Sequence, residues 1–158
     1  MADIPVGPVT GVDCKAYYNS GTHATPTWVE ITHGRNFSVP DYGVNQVEAN
    51  SRASVNESFV NGLIKNGITF SYLHVRGADT VRDALASMVS GRSPKEFAIM
   101  DGGIALVGAR GIRMYGNMEK FGYTQDLEGS QVWDAVLKPA YFIEASAKIE
   151  PELYIITA

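Results

Sequence analysis

The chain has 158 residues, 45% of them hydrophobic and 19% charged, with 17 acidic against 13 basic side chains and a formal net charge of −4. That length fits one domain over 1–158, and no apolar run approaches the roughly 18 residues that a membrane-spanning helix needs; no basic tract announces nucleic-acid affinity through phosphate neutralisation either. A lone cysteine, Cys14, excludes an internal disulfide and suits a reducing cytoplasm, where a buried, inert thiol is expected.

From the N-terminus, Met1-Ala2-Asp3-Ile4-Pro5 lacks the basic flank and apolar stretch of a secretory signal, so the chain is expected to stay where it is made. The first strand candidates are Cys14–Tyr18 and Thr27–Thr32. Between Gly34 and Gly67, Asn, Ser, Val and single charges mix without a sustained period, which predicts a long loop at about 34–67; loops of that length are usually functional or ordered by a partner. In Gly67–Val75, Ile68, Phe70 and Tyr72 alternate with Thr69 and Ser71, the period of two that puts one strand face on a core. His74 continues that face and is expected as a hydrogen-bonded histidine at the sheet border. Next comes one helix, about 79–90: Asp79 is the N-cap, Val81, Ala84, Leu85, Met88 and Val89 recur at helical spacing, and Gly91 followed by Pro94 ends it. Strands at Phe97–Met100 and Ile104–Val107 flank Asp101-Gly102-Gly103, whose glycines can take positive φ and close a tight hairpin. Arg110–Thr124, Gln131–Pro139 and Glu152–Thr157 complete the set. In the second of these, Trp133, Ala135 and Leu137 share a face opposite Val132, Asp134 and Val136, a half-polar face expected to meet water or a partner. Many short segments separated by Gly, Asn, Asp and Pro predict a mainly β fold, a sandwich or barrel of two packed sheets with one flanking helix.

The search for chemistry yields little. Gly62 and Gly67 have the spacing of a phosphate-cradling loop, but Ile68-Thr69 stands where Lys-Ser/Thr is needed. No Gly-x-Ser-x-Gly elbow occurs. His23, His33 and His74 sit in separate segments without ligand spacing, and nothing singles out a carboxylate pair for glycosidase work. Trp28, Trp133, Tyr141 and Phe142 stand singly, without flanking basic residues, and read as core rather than as base-stacking platforms. Asn36-Phe37-Ser38 and Asn56-Glu57-Ser58 match a glycosylation acceptor pattern that has no meaning without secretion. No catalytic, cofactor-binding or metal residue is therefore assigned, and no cofactor is expected. A small-ligand-binding β-barrel stays open as an alternative, provided an apolar pocket exists.

The order of features resembles the tail tube (major tail) proteins of long-tailed bacteriophages, related in architecture to type VI secretion tubes. Trp28-Val29-Glu30-Ile31 after an early strand, the polar segment with Glu48-Ala49-Asn50-Ser51-Arg52, the strand Gly67–Val75, the helix before Gly91, the turn at Asp101-Gly102-Gly103 and the strand pair ending in Leu137-Lys138-Pro139 carry that resemblance over nearly the whole chain. It implies a structural, non-enzymatic virion protein, assembled in the bacterial host cytoplasm, with six copies per ring and rings stacked into a hollow tail tube. One sheet of each copy would join a continuous barrel around the lumen, which also removes the open strand edges that invite unwanted pairing. The implied partners are the chain itself, tape-measure and tail-terminator or baseplate proteins, and DNA that passes without tight binding; no membrane is implied. The 34–67 segment, with Asn45, Glu48, Asn50, Arg52, Asn56 and Phe59, becomes the candidate arm between rings, ordering on contact. Six subunits of −4 would carry about −24 per ring and favour sliding over sticking, with Asp126, Glu128 and Asp134 as candidate lumen-facing acids. An alternative of the same architecture is the tube of a bacterial contractile injection or type VI secretion system, and a capsid decoration or tail-completion protein is the remaining structural option.

Overall fold

The computed structural model describes residues 11, 13–39, 43–48, 59–65, 67–124, 129–144 and 147–157, with backbone alone for those within 43–65 and for 124 and 147. Period-two alternation of apolar and polar residues folds most of these into strands. In chain order they are β1 (Lys15–Asn19), β2 (Trp28–Glu30), β3 (Gly34–Ser38), β4 (Gly43–Glu48), β5 (Phe59–Lys65), β6 (Ile68–Leu73), helix α1 (Thr80–Gly91), β7 (Lys95–Met100), β8 (Arg110–Thr124), β9 (Val132–Pro139), β10 (Phe142–Glu144), β11 (Ala147–Ile149) and β12 (Glu152–Ile155). The expected mainly β fold with one helix is present.

Eight strands form one antiparallel sheet in the order β2-β1-β7-β8-β9-β6-β3, with β12 also on β8; β4–β5 and β10–β11 form separate two-stranded ribbons. β8 is long enough to serve two neighbourhoods. Its first half pairs with β7, from Gly111↔Met100 to Gly116↔Lys95, and on its other side with β12, from Arg110↔Ile155 to Arg113↔Glu152. From Gly116 to Thr124 it pairs with β9 instead, with a register shift between Met118 and Lys120, the kind of irregularity that bends a strand and deepens its twist. Two halves result, β2-β1-β7-β8-β12 and β8-β9-β6-β3. Tyr18 and Phe97 from one meet Phe70, Tyr72 and Leu137 from the other in a single cluster that also takes Leu85 and Met88 of α1, so the two expected layers are two halves of one sheet. At Gly111 the neighbouring strand comes so close that a Cβ would collide with the Ile99 carbonyl and the Met100 sulfur.

Several local expectations hold and several need correction. Asp79 is the N-cap of α1, with its side chain accepting from the Arg82 N–H at 3.0 Å. Leu85 and Met88 are buried, with Val81 and Ala84 packed against the core, but Val89 is 45% exposed, so the apolar stripe is narrower than its spacing predicts. Gly91 is still helical, and Arg92 takes the left-handed cap position at φ 49°. His74 lies just past β6 and its N–H donates to the Gln131 carbonyl at 2.9 Å. No strand forms at Ile104–Val107. Asp101 instead closes a wider loop, its N–H donating to the Arg110 carbonyl at 2.8 Å and its carboxylate accepting the Arg110 N–H at 2.7 Å. The positive φ falls on Gly108, not on Gly102 or Gly103. Burial explains the difference, because Ile104 and Leu106 pack onto a second cluster made by Tyr17, Ala98, Met100 and Ala109, which a tight three-residue turn would not allow. Cys14 is exposed rather than buried, since it precedes β1, whose residues from Ala16 to Asn19 are buried on both faces. Tyr141, expected in the core, is 72% exposed, while Phe142 stacks on Tyr115 at 4.0 Å. The 34–67 segment is not a plain loop. It opens with β3 in the main sheet and contains the antiparallel β4–β5 ribbon.

Replacing Leu85, fully buried between α1 and the sheet, with alanine is expected to cost about 2–5 kcal/mol. Urea denaturation measures it, and an unchanged midpoint contradicts the packing described.

Candidate assembly surfaces

The half-sheet β8-β9-β6-β3 has unlike faces. Inward lie Ile68, Phe70, Tyr72, Ala135, Leu137 and Met118. Directly paired residues of neighbouring strands point the same way, so the outward face can be read from the register: Lys120, Val136, Thr69 and Ser38 form one row, Gly122, Asp134, Ser71 and Arg35 the next. This face is polar and mostly short-chained. Four of its charges sit in exposed cross-strand pairs, Lys120 with Asp134 at 3.9 Å and Lys138 with Glu119 at 3.8 Å, each contributing about 0–1 kcal/mol, and Arg35 adds a further cation at the β3 end of the row. Asp134 is therefore on the outward face with a cation beside it, while Asp126 and Glu128 lie outside the described residues. Of the arm residues, Asn45 and Glu48 fall in β4 and Phe59 in β5; Asn50, Arg52 and Asn56 lie outside the described residues.

The edges of this half-sheet are open among the described strands. β3 pairs only with β6, and β8 beyond Gly116 pairs only with β9. A bend within β3, where Asn36 takes φ 54° between the paired Arg35 and Ser38, disturbs one edge, but both keep unused backbone donors and acceptors. On the other half, β12 presents Leu153 at 69% and Ile155 at 50% exposure along its outer side.

Sequence reasoning missed a buried polar cluster where that other half meets the turn at 20–27. Glu96 of β7 is 1% exposed. One carboxylate oxygen accepts from Arg113 Nε and pairs with His23 Nδ1, both at 2.6 Å, and the other accepts from Asn19 Nδ2 at 2.7 Å and Arg113 Nη2 at 3.1 Å. Burial pushes the Glu96 carboxyl up, but its bonds to Arg113, Asn19 and His23 outweigh that and hold it below the usual carboxylate range. The Arg113 guanidinium lies over the rings of both Trp28 and Tyr154, 5.4 and 5.0 Å from their centres. Burial, with Glu96 and Glu144 nearby, raises the Tyr115 hydroxyl to about 12. The signal was present in the strand pattern: Glu96 alternates with Ala98 and Met100, both buried, and a carboxylate at such a position calls for a buried cation. A second polar contact joins α1 to β6, where the Tyr72 hydroxyl reaches both oxygens of Asp79, at 2.9 and 2.8 Å. Burial works against the ionised Asp79, yet the Arg82 N–H and the Tyr72 hydroxyl hold its carboxyl below the ordinary range.

These clusters are saturated with internal partners, and neither presents a nucleophile beside a base. Among the described residues no group of three His, Cys, Asp or Glu could hold a metal ion. A cleft of about 710 Å³ is lined by Lys15, Glu30, Ile31, Arg35 and Phe37 among others, and Lys15 and Glu30 already pair with each other at 3.0 Å. It is not the apolar pocket that the ligand-binding alternative requires.

No family model matches the sequence, and no curated protein matches it. Solved structures do match, over nearly the whole chain. The fold is that of tail tube proteins. The tail tube of SPP1 superposes with a TM-score of 0.69 at 15% identity, covering 96% of this chain and 81% of that one. The tail of the empty gene transfer agent particle, which has C6 symmetry, gives 0.66 at 14% identity, covering 94% and 98%. The baseplate of the anti-feeding prophage, 6-fold symmetrised, gives 0.52 at 9% identity, covering 92% and 93%.

Both depressed carboxyls act in one direction with pH. Their contribution is fully present above the unfolded carboxylate range and is lost as pH falls through the lower folded values. The urea midpoint is expected to be lower at pH 3 than at pH 7; equal midpoints contradict the assignment of Glu96 and Asp79 as stabilising anions.

Proposed function

We propose that this chain is a non-enzymatic structural subunit that closes into six-fold rings and stacks them into the tail tube of a phage-like particle, through which DNA passes. The observation that carries this reading is the four-stranded half-sheet β8-β9-β6-β3, open at both edges, in a fold shared with the SPP1 tail tube and with a C6-symmetric tail. Parity supports it. Four antiparallel strands leave β3 and β8 running in opposite directions, so β3 of one copy set beside β8 of the next continues the antiparallel order. That head-to-tail contact repeats until the ring closes and no edge remains.

The outward face of the same half-sheet then lines the lumen. Its cations are largely offset by neighbouring carboxylates, so passing phosphates meet no continuous basic track and little counterion release rewards binding. Local pairing, more than an excess of acid, keeps the channel from holding DNA. The β4–β5 ribbon and the residues that join its strands form the arm to an adjacent ring, with Asn45, Glu48, Asn50, Arg52, Asn56 and Phe59 as contact candidates. Asp126, Glu128 and Asp134 are proposed near the lumen. Tape-measure proteins inside the tube and terminator or baseplate proteins at its ends are the further partners. The likeness to the anti-feeding prophage baseplate favours one second reading, the tube of a contractile injection system. The two are separated by the neighbouring genes, a tape-measure and capsid set against a secretion set.

Negative-stain microscopy of concentrated protein is expected to show hollow tubes or six-fold rings, and a strict monomer at high concentration overturns the proposal. Deleting residues 45–61 is expected to leave the thermal transition in place and block tube growth. Tubes of normal length from that deletion remove the arm.

A further inference from the structure

Two segments outside the main sheet share one fastening. The turn at 20–27 between β1 and β2 has mostly exposed side chains, Ser20, Gly21, Thr22, Ala24, Thr25 and Thr27 among them, and is held by polar contacts. Asn19 Oδ1 accepts the N–H groups of Gly21 and Thr27, both at 2.8 Å, and Asn19 Nδ2 donates to the Thr22 carbonyl at 2.8 Å as well as to Glu96. Arg113 Nη2 donates to the His23 carbonyl at 2.8 Å, and the His23 ring meets Glu96. The β10–β11 ribbon likewise makes no strand pairing with the main sheet. It is attached by Phe142 stacking on Tyr115 and by Glu144, whose carboxylate accepts the His23 N–H at 3.0 Å. His23 thus touches the buried carboxylate with its ring and the ribbon with its backbone.

We propose that Glu96 latches the 20–27 turn and the β10–β11 ribbon together onto the sheet, so that neutralising this carboxylate releases both as one unit while the main sheet stays paired. The groups that face the latch are Arg113 and Tyr115 of β8, His23 of the turn, Asn19 of β1, Glu144 of β10, and Glu152 of β12, which lies 3.9 Å from Arg113. Without the Glu96 charge, Arg113 has the distant, more exposed Glu152 as its remaining anion, and Asn19 and His23, which tie the turn to β7, keep only a neutral and weaker acceptor. Local opening of this kind needs no change in the main cluster, whose members come from β1, β6, β7, β8, β9 and α1, with Ile31 just past β2. The ribbon side carries exposed Tyr141 and Ile143, so opening alters the apolar surface that the subunit presents. The latch is a property of the single chain and holds whether or not rings form.

Hydrogen–deuterium exchange of the full-length, unassembled protein at pH 7 tests it with Glu96→Gln. Amides in 20–27 and 142–149 are expected to exchange roughly tenfold faster or more, while those in 68–73 and 132–137 keep their protection. His23→Ala, which leaves the buried Glu96–Arg113 pair in place, is expected to speed the same two segments. Acceleration confined to one segment in His23→Ala, or no acceleration of either segment in both variants, overturns the latch.

Discussion

The constraint on which this structure depends is the change of partners along β8. A 15-residue strand can belong to two neighbourhoods if its backbone bends and its side chains suit both. Gly116 is where the pairing passes from β7 to β9, and the irregularity just beyond it re-aims the strand. Because β8 carries on while β7 and β12 do not, four strands project as a sheet of their own, with a buried face, a polar face and two free edges. A chain that had to satisfy every edge internally would not leave this much backbone unpaired.

The Glu96 cluster and the Asp79–Tyr72 contact hold the two ends of this arrangement. Removing ions from water is costly, and a buried pair is sustained only when its remaining hydrogen-bonding capacity is filled. Glu96 fills its capacity with three side chains from three elements, and Arg113 gains two aromatic faces besides. The result is specificity of place more than net stability: β7, β8 and the turn before β2 have one way to meet. Asp79 does the same for the start of α1, so the helix that covers the core is fixed both by Leu85 and Met88 and by a polar contact to β6.

Much of this was legible in the residues. The alternation of Ile68, Phe70 and Tyr72, the N-cap at Asp79 and the full extent of β8 could be read directly, because each is a local pattern with one physical solution. Ile104–Val107 was misread, because a short apolar run does not say whether it is a strand or a loop tucked onto a core. β3 was lost in the loop because the bend at Asn36 breaks the period. Glu96 and Arg113 belong to neighbouring strands whose pairing is not written in either strand alone, although a charge in an apolar alternation was a usable sign. The outward face was half-seen at Asp134 and Val136, and its cation partners required the register of β8 against β9.

The central claim is that β3 of one copy completes the free edge of β8 in the next. Cysteines placed at Ser38 and Glu119 in a Cys14→Ser background, oxidised or bridged in the assembled protein and run on a denaturing gel, test that contact directly. The account predicts an intermolecular ladder ending at a closed ring species. Intact assemblies that yield monomer alone, at every linker length tried, would contradict it.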